Sequence, residues 1–102
     1  MNDGQAISAF SALAQETRLG FLRALIKAGE PGLASGALAE MLGVSTASSS
    51  FHLGHLEHAG LVISKRKSRS IIYYANYENI GAMIQFLLQD CCGNDPRITN
   101  CC

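Results

Sequence analysis

The first ninety residues of this chain contain no cysteine. A thiol-built metal centre is therefore excluded from most of its length. No apolar run approaches the ~20 residues of a membrane span. The start, MNDGQAIS, has neither a basic segment nor a long apolar one, so no secretory signal is expected and the chain should be cytoplasmic. There is no internal repeat and no Cys-x-x-Cys, and neither a strand ahead of the thiols nor a βαβ pattern. A small thiol reductase is thereby disfavoured. Acid is scarce where base is not. Between Met41 and Tyr77 the sole carboxylate is Glu57, while Lys65, Arg66, Lys67 and Arg69 supply half of the eight basic residues. A net charge of zero thus hides a basic stripe, and it is the stripe that binds phosphates.

What is present reads as one small domain. The chain has 102 residues, of which 48% are apolar, enough for a modest core that dimerisation can reinforce. Ile7, Phe10, Leu13 and Ala14 recur at helical spacing and predict a first helix over about 4–14. In ETRLGFLRALIKAG, Leu19, Leu22, Leu25 and Ile26 form the expected inward stripe and Gly29 the stop. Arg18 and Arg23 are expected to be solvated or to pair with Glu16 and Glu30. EPGL reads as a loop. A short helix over 36–43 turns Leu38, Met41 and Leu42 inward. Ser45 is a natural N-cap for a helix over 46–58, with Leu53 and Leu56 inward. The arms of LVISKRKSRSIIYYAN are rich in Val, Ile and Tyr around a basic, serine-rich centre, which predicts a β-hairpin. Asn76 can cap a last helix, 78–90, with Ile80, Ile84, Leu87, Leu88 and Cys91 along one stripe; Gly93, Asp95 and Pro96 break it. The fold class is mainly α with a β-hairpin wing, in the order α-α-α-α-β-β-α.

The pair 36–43 and 46–58, joined through Gly43-Val44-Ser45, is a helix-turn-helix. Gly43 provides the permissive backbone of the turn and Val44 pins it to the core. With the hairpin behind it, this is a winged helix-turn-helix. The segments ETRLGFLRAL, LAEMLGVSTASSSFHLGHLEHAGLV and KRKSRSIIYY, within residues 9–92, resemble the ArsR/SmtB metalloregulators. The resemblance implies a homodimeric repressor whose first and last helices form the dimer interface, and which leaves double-stranded operator DNA when a toxic metal or metalloid binds. It does not imply a membrane partner or an enzyme. Two family sensors are missing. Many arsenic repressors carry Cys-x-Cys at the start of the first helix of the motif, where this chain has Ala34 and Gly36. Others bind zinc through carboxylates and histidines of the last helices, where this chain has Glu78 and Asp90 but no histidine.

A helix entering the major groove presents its first turns to bases and phosphates. The candidate DNA-binding residues on it are Thr46, Ser48, Ser49, Ser50 and His52, whose hydroxyls and imidazole suit base edges or phosphate oxygens. Arg66, Lys67 and Arg69 at the wing tip can reach flanking phosphates or a minor groove. A solvated helix face is the plainer reading of three consecutive serines, but serine is a poor helix former, which favours a working surface. Ser49 falls beside Leu53 and Leu56 on the helical wheel, where an apolar residue is expected. Phe51 points the opposite way, toward a thymine methyl or the wing. His52, His55 and His58 are three apart, but they drift around the helix and read as polar surface rather than a metal face.

All four cysteines, Cys91, Cys92, Cys101 and Cys102, lie in a tail, 91–102, that is otherwise Gly, Asn, Asp, Pro, Arg, Ile and Thr. An ordinary buried cysteine accounts for Cys91, which extends the last helix's apolar stripe, and for none of the others. A reducing compartment disfavours a structural disulfide. Soft thiolates select Zn(II), Cu(I), Cd(II) and similar ions. Trivalent arsenic takes three thiolates, and an organic trivalent arsenical takes two. Adjacent helical residues point ~100° apart, so Cys91 and Cys92 converge on one atom only where the helix ends, and Gly93 provides that end. The loop through Pro96 then allows Cys101 or Cys102, or both, to complete the site. The expected inducer is therefore arsenite or a methylated arsenical, with another soft thiophilic ion as the alternative. Redox sensing or Zn/Cd sensing by the same fold are the runners-up, and a metal-carrier module is a further class.

Overall fold

A computed structural model describes residues 1–88 and 96–99. Its elements are α1 (Asp3–Leu13), α2 (Glu16–Ala28), β1 (Leu33–Ala34), α3 (Ser35–Leu42), α4 (Thr46–His58), β2 (Val62–Lys67), β3 (Ser70–Ala75), α5 (Tyr77–Leu88) and α6 (Pro96–Thr99). The expected helices and hairpin are all present. β1 and α6 are additions. β1 occupies the stretch read as a loop, because two residues are too few to show a period. It pairs antiparallel with β3, Leu33 against Tyr73 and Ala34 against Ile72, giving a three-stranded sheet in the order β1-β3-β2. α6 begins on Pro96, which had read only as a breaker; proline is equally suited to the first turn of a helix.

Local chemistry sets the element boundaries. Asn2 and Gln5 form a reciprocal capping box, the Asn2 side chain accepting from the Gln5 amide at 2.8 Å and the Gln5 side chain from the Asn2 amide at 2.9 Å. Gln15 caps α2 through the Arg18 amide at 2.8 Å. Ser45 caps α4 and Asn76 caps α5, both as expected. Gly43 ends α3 in the left-handed region at φ 65°, ψ 34°. Gly32 has φ 65° as well, and a Cβ there would lie 2.6 Å from the Tyr73 carbonyl oxygen. The sheet can close over this loop only with glycine at that position.

Phe21, Leu25, Leu38, Leu53, Leu56 and Leu61 form the fully buried centre, joined by Leu22, Val62, Ile80 and Met83. Val44 packs against this cluster, as its place in the turn requires. The inward face of α1 differs from expectation. Ala6, Ala9 and Ala12 are buried, while Ile7 is 68% exposed. An alanine line lets α1 approach α2 and α4 closely. It turns Ile7 away from the core, while Phe10 and Leu13 of the expected stripe pack against it half-buried. Leu19, Ile26, Met41 and Leu42, expected inward, are also exposed. On α5, Ile80 and Met83 face the core, while Ile84 and Leu87 of the expected stripe remain exposed.

Candidate nucleic-acid interface

α4 occupies the expected residues, 46–58, but its faces are disposed differently. Its inward line is Ser49, Leu53 and Leu56. Ser49, read from composition as a DNA contact, is 1% exposed, and its hydroxyl has no hydrogen-bond partner among the described residues. At ~100° per residue it shares the leucine face, and position on the wheel outweighs membership of a serine run. Ala47, Ser50, Phe51, Gly54 and His58 lie opposite and are exposed. Thr46 is exposed and Ser48 half-buried. Phe51 is 68% exposed and sits edge-on to His52 and His55, with ring centroids 5.2 and 6.4 Å away, rather than packing on the wing. It is the largest side chain on the outward face, and the wheel position of Ser49 was the signal that placed it there.

His52 sits on the flank of α4 toward α2. Its Nδ1 lies 3.1 Å from Nη1 of Arg18, whose Nε donates to the Ala12 carbonyl at 2.6 Å. Arg18 is only 9% exposed, not solvated as expected, and its partners are neutral. Burial, then the Arg18 charge and then that of His55, lower the His52 pKa below the ordinary histidine value. The three histidines do not gather as a metal cluster. Among the described residues no group of three His, Cys, Asp or Glu side chains could hold an ion.

The opposite flank of α4 meets the wing. Glu57, the one acid of the stretch, accepts from the Ser64 hydroxyl at 2.6 Å and so ties the helix to β2. Burial, and then Glu57, raise the pKa of Tyr73 opposite Ser64, which stays a neutral phenol. Side chains alternate across the sheet. Arg66 therefore shares the face of Ser64, turned toward α4, whereas Lys65 and Lys67 share the face of Tyr74. Their ammonium groups lie 5.4 and 5.8 Å from the Tyr74 ring centroid, in cation–π range. Lys67 was grouped with the tip arginines by sequence position, yet strand alternation places it on the other side. Arg66 and Arg69 are exposed. The tip turns through Ser68-Arg69, with Ser68 at φ 59°.

A helix whose outward first turns carry no carboxylate, beside a basic hairpin, is the arrangement of a winged helix-turn-helix. Residues 13–64 match the family model described as a helix-turn-helix domain. The chain is 31% identical to an ArsR-like transcriptional regulator from a Rhodococcus species, with 84% of this chain and 78% of that one covered and a TM-score of 0.74. The chain belongs to the ArsR family of winged helix-turn-helix transcriptional regulators. It is also 29% identical to reduced HlyU from Vibrio cholerae, covering 84% of this chain and 87% of that one at a TM-score of 0.67. A homodimeric winged helix-turn-helix DNA-binding domain from Mycobacterium bovis, a possible ArsR-family regulator, is 25% identical, with 88% and 89% covered and a TM-score of 0.69. No curated protein matches significantly. As an ArsR-family regulator the chain is a DNA-binding protein and not an enzyme. No helix among its described residues is long and apolar enough to cross a membrane. The positions of the family's Cys-x-Cys sensor fall at the end of β1, Ala34, and in the first turn of α3, Gly36, and carry no thiol. Cys91, Cys92, Cys101 and Cys102 lie outside the described residues.

Proposed function

We propose that this ArsR-family regulator is a homodimeric repressor that reads operator DNA with α4 and the wing and is released by a trivalent arsenical bound to its terminal thiolates. The observation that carries the DNA reading is the sidedness of α4. Thr46, Ala47, Ser50 and Phe51 face outward with no carboxylate among them, and the nearby Glu57 is engaged by Ser64. Thr46 and Ser50 offer hydroxyls to base edges or phosphates, and Phe51 offers an apolar surface to a thymine methyl. Arg66 and Arg69 supply flanking phosphate contacts. Ser48 lies at the edge of this surface, and Lys67 adds longer-range charge from the far face of the sheet.

Dimerisation through α1 and α5 is supported by their surplus apolar surface, Ile7 on one and Ile84 and Leu87 on the other. It would cover what the core does not. One relative is itself described as homodimeric. The inducer site is assigned to Cys91, Cys92, Cys101 and Cys102, the only thiols in the chain. They follow α5, and α5 is joined to the end of α4, because the side-chain amides of Asn76 and Asn79 both donate to the Gly60 carbonyl at 3.0 Å. A shift of α5 on ligand binding therefore has a hydrogen-bonded route to the DNA-reading helix. The ligand releases DNA only in so far as it favours the DNA-incompetent dimer, typically by 5–150-fold, about 1–3 kcal/mol. A thiol redox regulator is the second reading, favoured by the likeness to a relative solved in a form described as reduced. Titrating a complex with DNA selected from a random pool separates them. Release by arsenite or a methylated trivalent arsenical, under reducing conditions, supports the arsenical reading. Release by a thiol oxidant alone supports the redox one, and release by Zn(II) or Cd(II) alone a metal sensor.

A further inference from the structure

Arg18 is the one buried cation of the described core. Its two partners come from different helices. Nε closes the open C-terminal end of α1 at the Ala12 carbonyl, and Nη1 reaches the imidazole of His52 on α4. Arginine has no acceptor, so Nη1 donates and His52 Nδ1 must accept. That geometry exists only for neutral His52 with its proton on Nε2. A protonated ring would place a second N–H, and a second cation, against the guanidinium. The ionisable neighbours of His52 are Arg18 from α2 and His55 from its own helix. α1 contributes a carbonyl, and residues 4–15 include no ionisable side chain.

We propose that Arg18 is a positioning residue for DNA reading: it braces α4 against the end of α1 through neutral His52, and protonation of His52 releases the brace. This rests on α4 being the DNA-reading helix. It also gives movement of α1 a direct path to the DNA face, separate from the Gly60 path through α5. The lowered His52 pKa agrees with a ring held neutral.

The sign of the pH effect separates this role from direct DNA contact. A histidine on a phosphate binds better when protonated, so acid would strengthen the complex. A histidine bracing the helix in its neutral form binds worse in acid. The unfolded chain takes up protons at His52 below about pH 6.5, before the folded protein does. Stability contributed by the brace is therefore complete above that pH and is lost as pH falls below it.

The test compares the wild-type protein with His52→Gln, which can accept from Arg18 but does not titrate, and with Arg18→Lys, which keeps the charge but cannot hold both partners. Affinity for the selected DNA is measured from pH 8 to pH 5.5 at fixed ionic strength, and urea unfolding over the same range. His55 and His58 are common to all three proteins, so only differences between them count. Wild type should lose about tenfold more affinity toward acid than either variant, and its unfolding midpoint should fall more. Identical pH dependence in wild type and His52→Gln, or a wild-type affinity that rises toward acid relative to the variant, overturns the proposal. If no DNA is bound at any pH, the DNA-reading assignment fails, and the urea series alone decides the brace: a steeper acid loss in wild type supports it and equal loss refutes it.

Discussion

Replacing Ser49 by alanine should stabilise the protein and leave its affinity for DNA unchanged. The hydroxyl is buried among the leucines of the core and has no partner among the described residues. A buried hydroxyl left unsatisfied costs about 1–3 kcal/mol. Alanine also forms helix better than serine, by about half a kcal/mol. Against these stands the small void left by one oxygen, a few tenths of a kcal/mol. The net gain is about 1–3 kcal/mol. For a domain of this size each kcal/mol moves Tm by roughly 4–8 °C. Thermal unfolding must be compared at one protein concentration, because a dimer's Tm depends on it. A rise of about 5 °C or more, with unaltered binding to the selected DNA, is the expected outcome. A destabilised variant would mean that the hydroxyl is satisfied in solution. A folded variant with strongly weakened DNA binding would return Ser49 to the DNA face and overturn the assignment of faces on α4.

Ser68→Gly should also stabilise, by about 0.5–1 kcal/mol, since the wing turn holds a non-glycine residue at φ 59°; the urea midpoint reads it, and a fall would contradict a strained turn. Arg66→Ala and Arg69→Ala should each weaken binding to specific and random DNA alike and reduce the salt slope by about one, whereas Phe51→Ala should lower discrimination between sites; equal effects of all three on random DNA would contradict that division. Lys67→Ala should alter the salt slope less than Arg66→Ala, because Lys67 lies on the Tyr74 face of the sheet; a larger effect would place that face against DNA.

Much of this arrangement is legible in the sequence because it depends on local chemistry. Ser45 and Gly60 bracket α4, Gly43 marks the turn, and alternation of Val, Ile and Tyr marks the hairpin. What escapes is of three kinds. Alanine carries little hydropathy contrast, so the inward line Ala6, Ala9 and Ala12 was hidden behind the more conspicuous Ile7. A two-residue strand such as β1 has no period, and its register depends on a partner some forty residues away. The hold of Arg18 on His52 spans 34 positions, and nothing near Arg18 in the chain announces it. Ser49 is a different matter. Its place on the wheel was visible, and the serine run around it suggested the opposite face. For the DNA-binding surface, then, helical geometry was the better guide than residue type.

The assignment of the terminal thiols is tested most directly by titrating arsenite into the complex of the full chain with its selected DNA, beside Cys91→Ser and Cys92→Ser. The variants should bind DNA as the wild type does and no longer release it on adding arsenite. Truncation after Asn100, which removes Cys101 and Cys102, should blunt the response to arsenite more than the response to a methylated arsenical that needs two thiolates. If all of these proteins leave DNA at the same arsenite concentration as the full chain, the terminal cysteines are not the sensor.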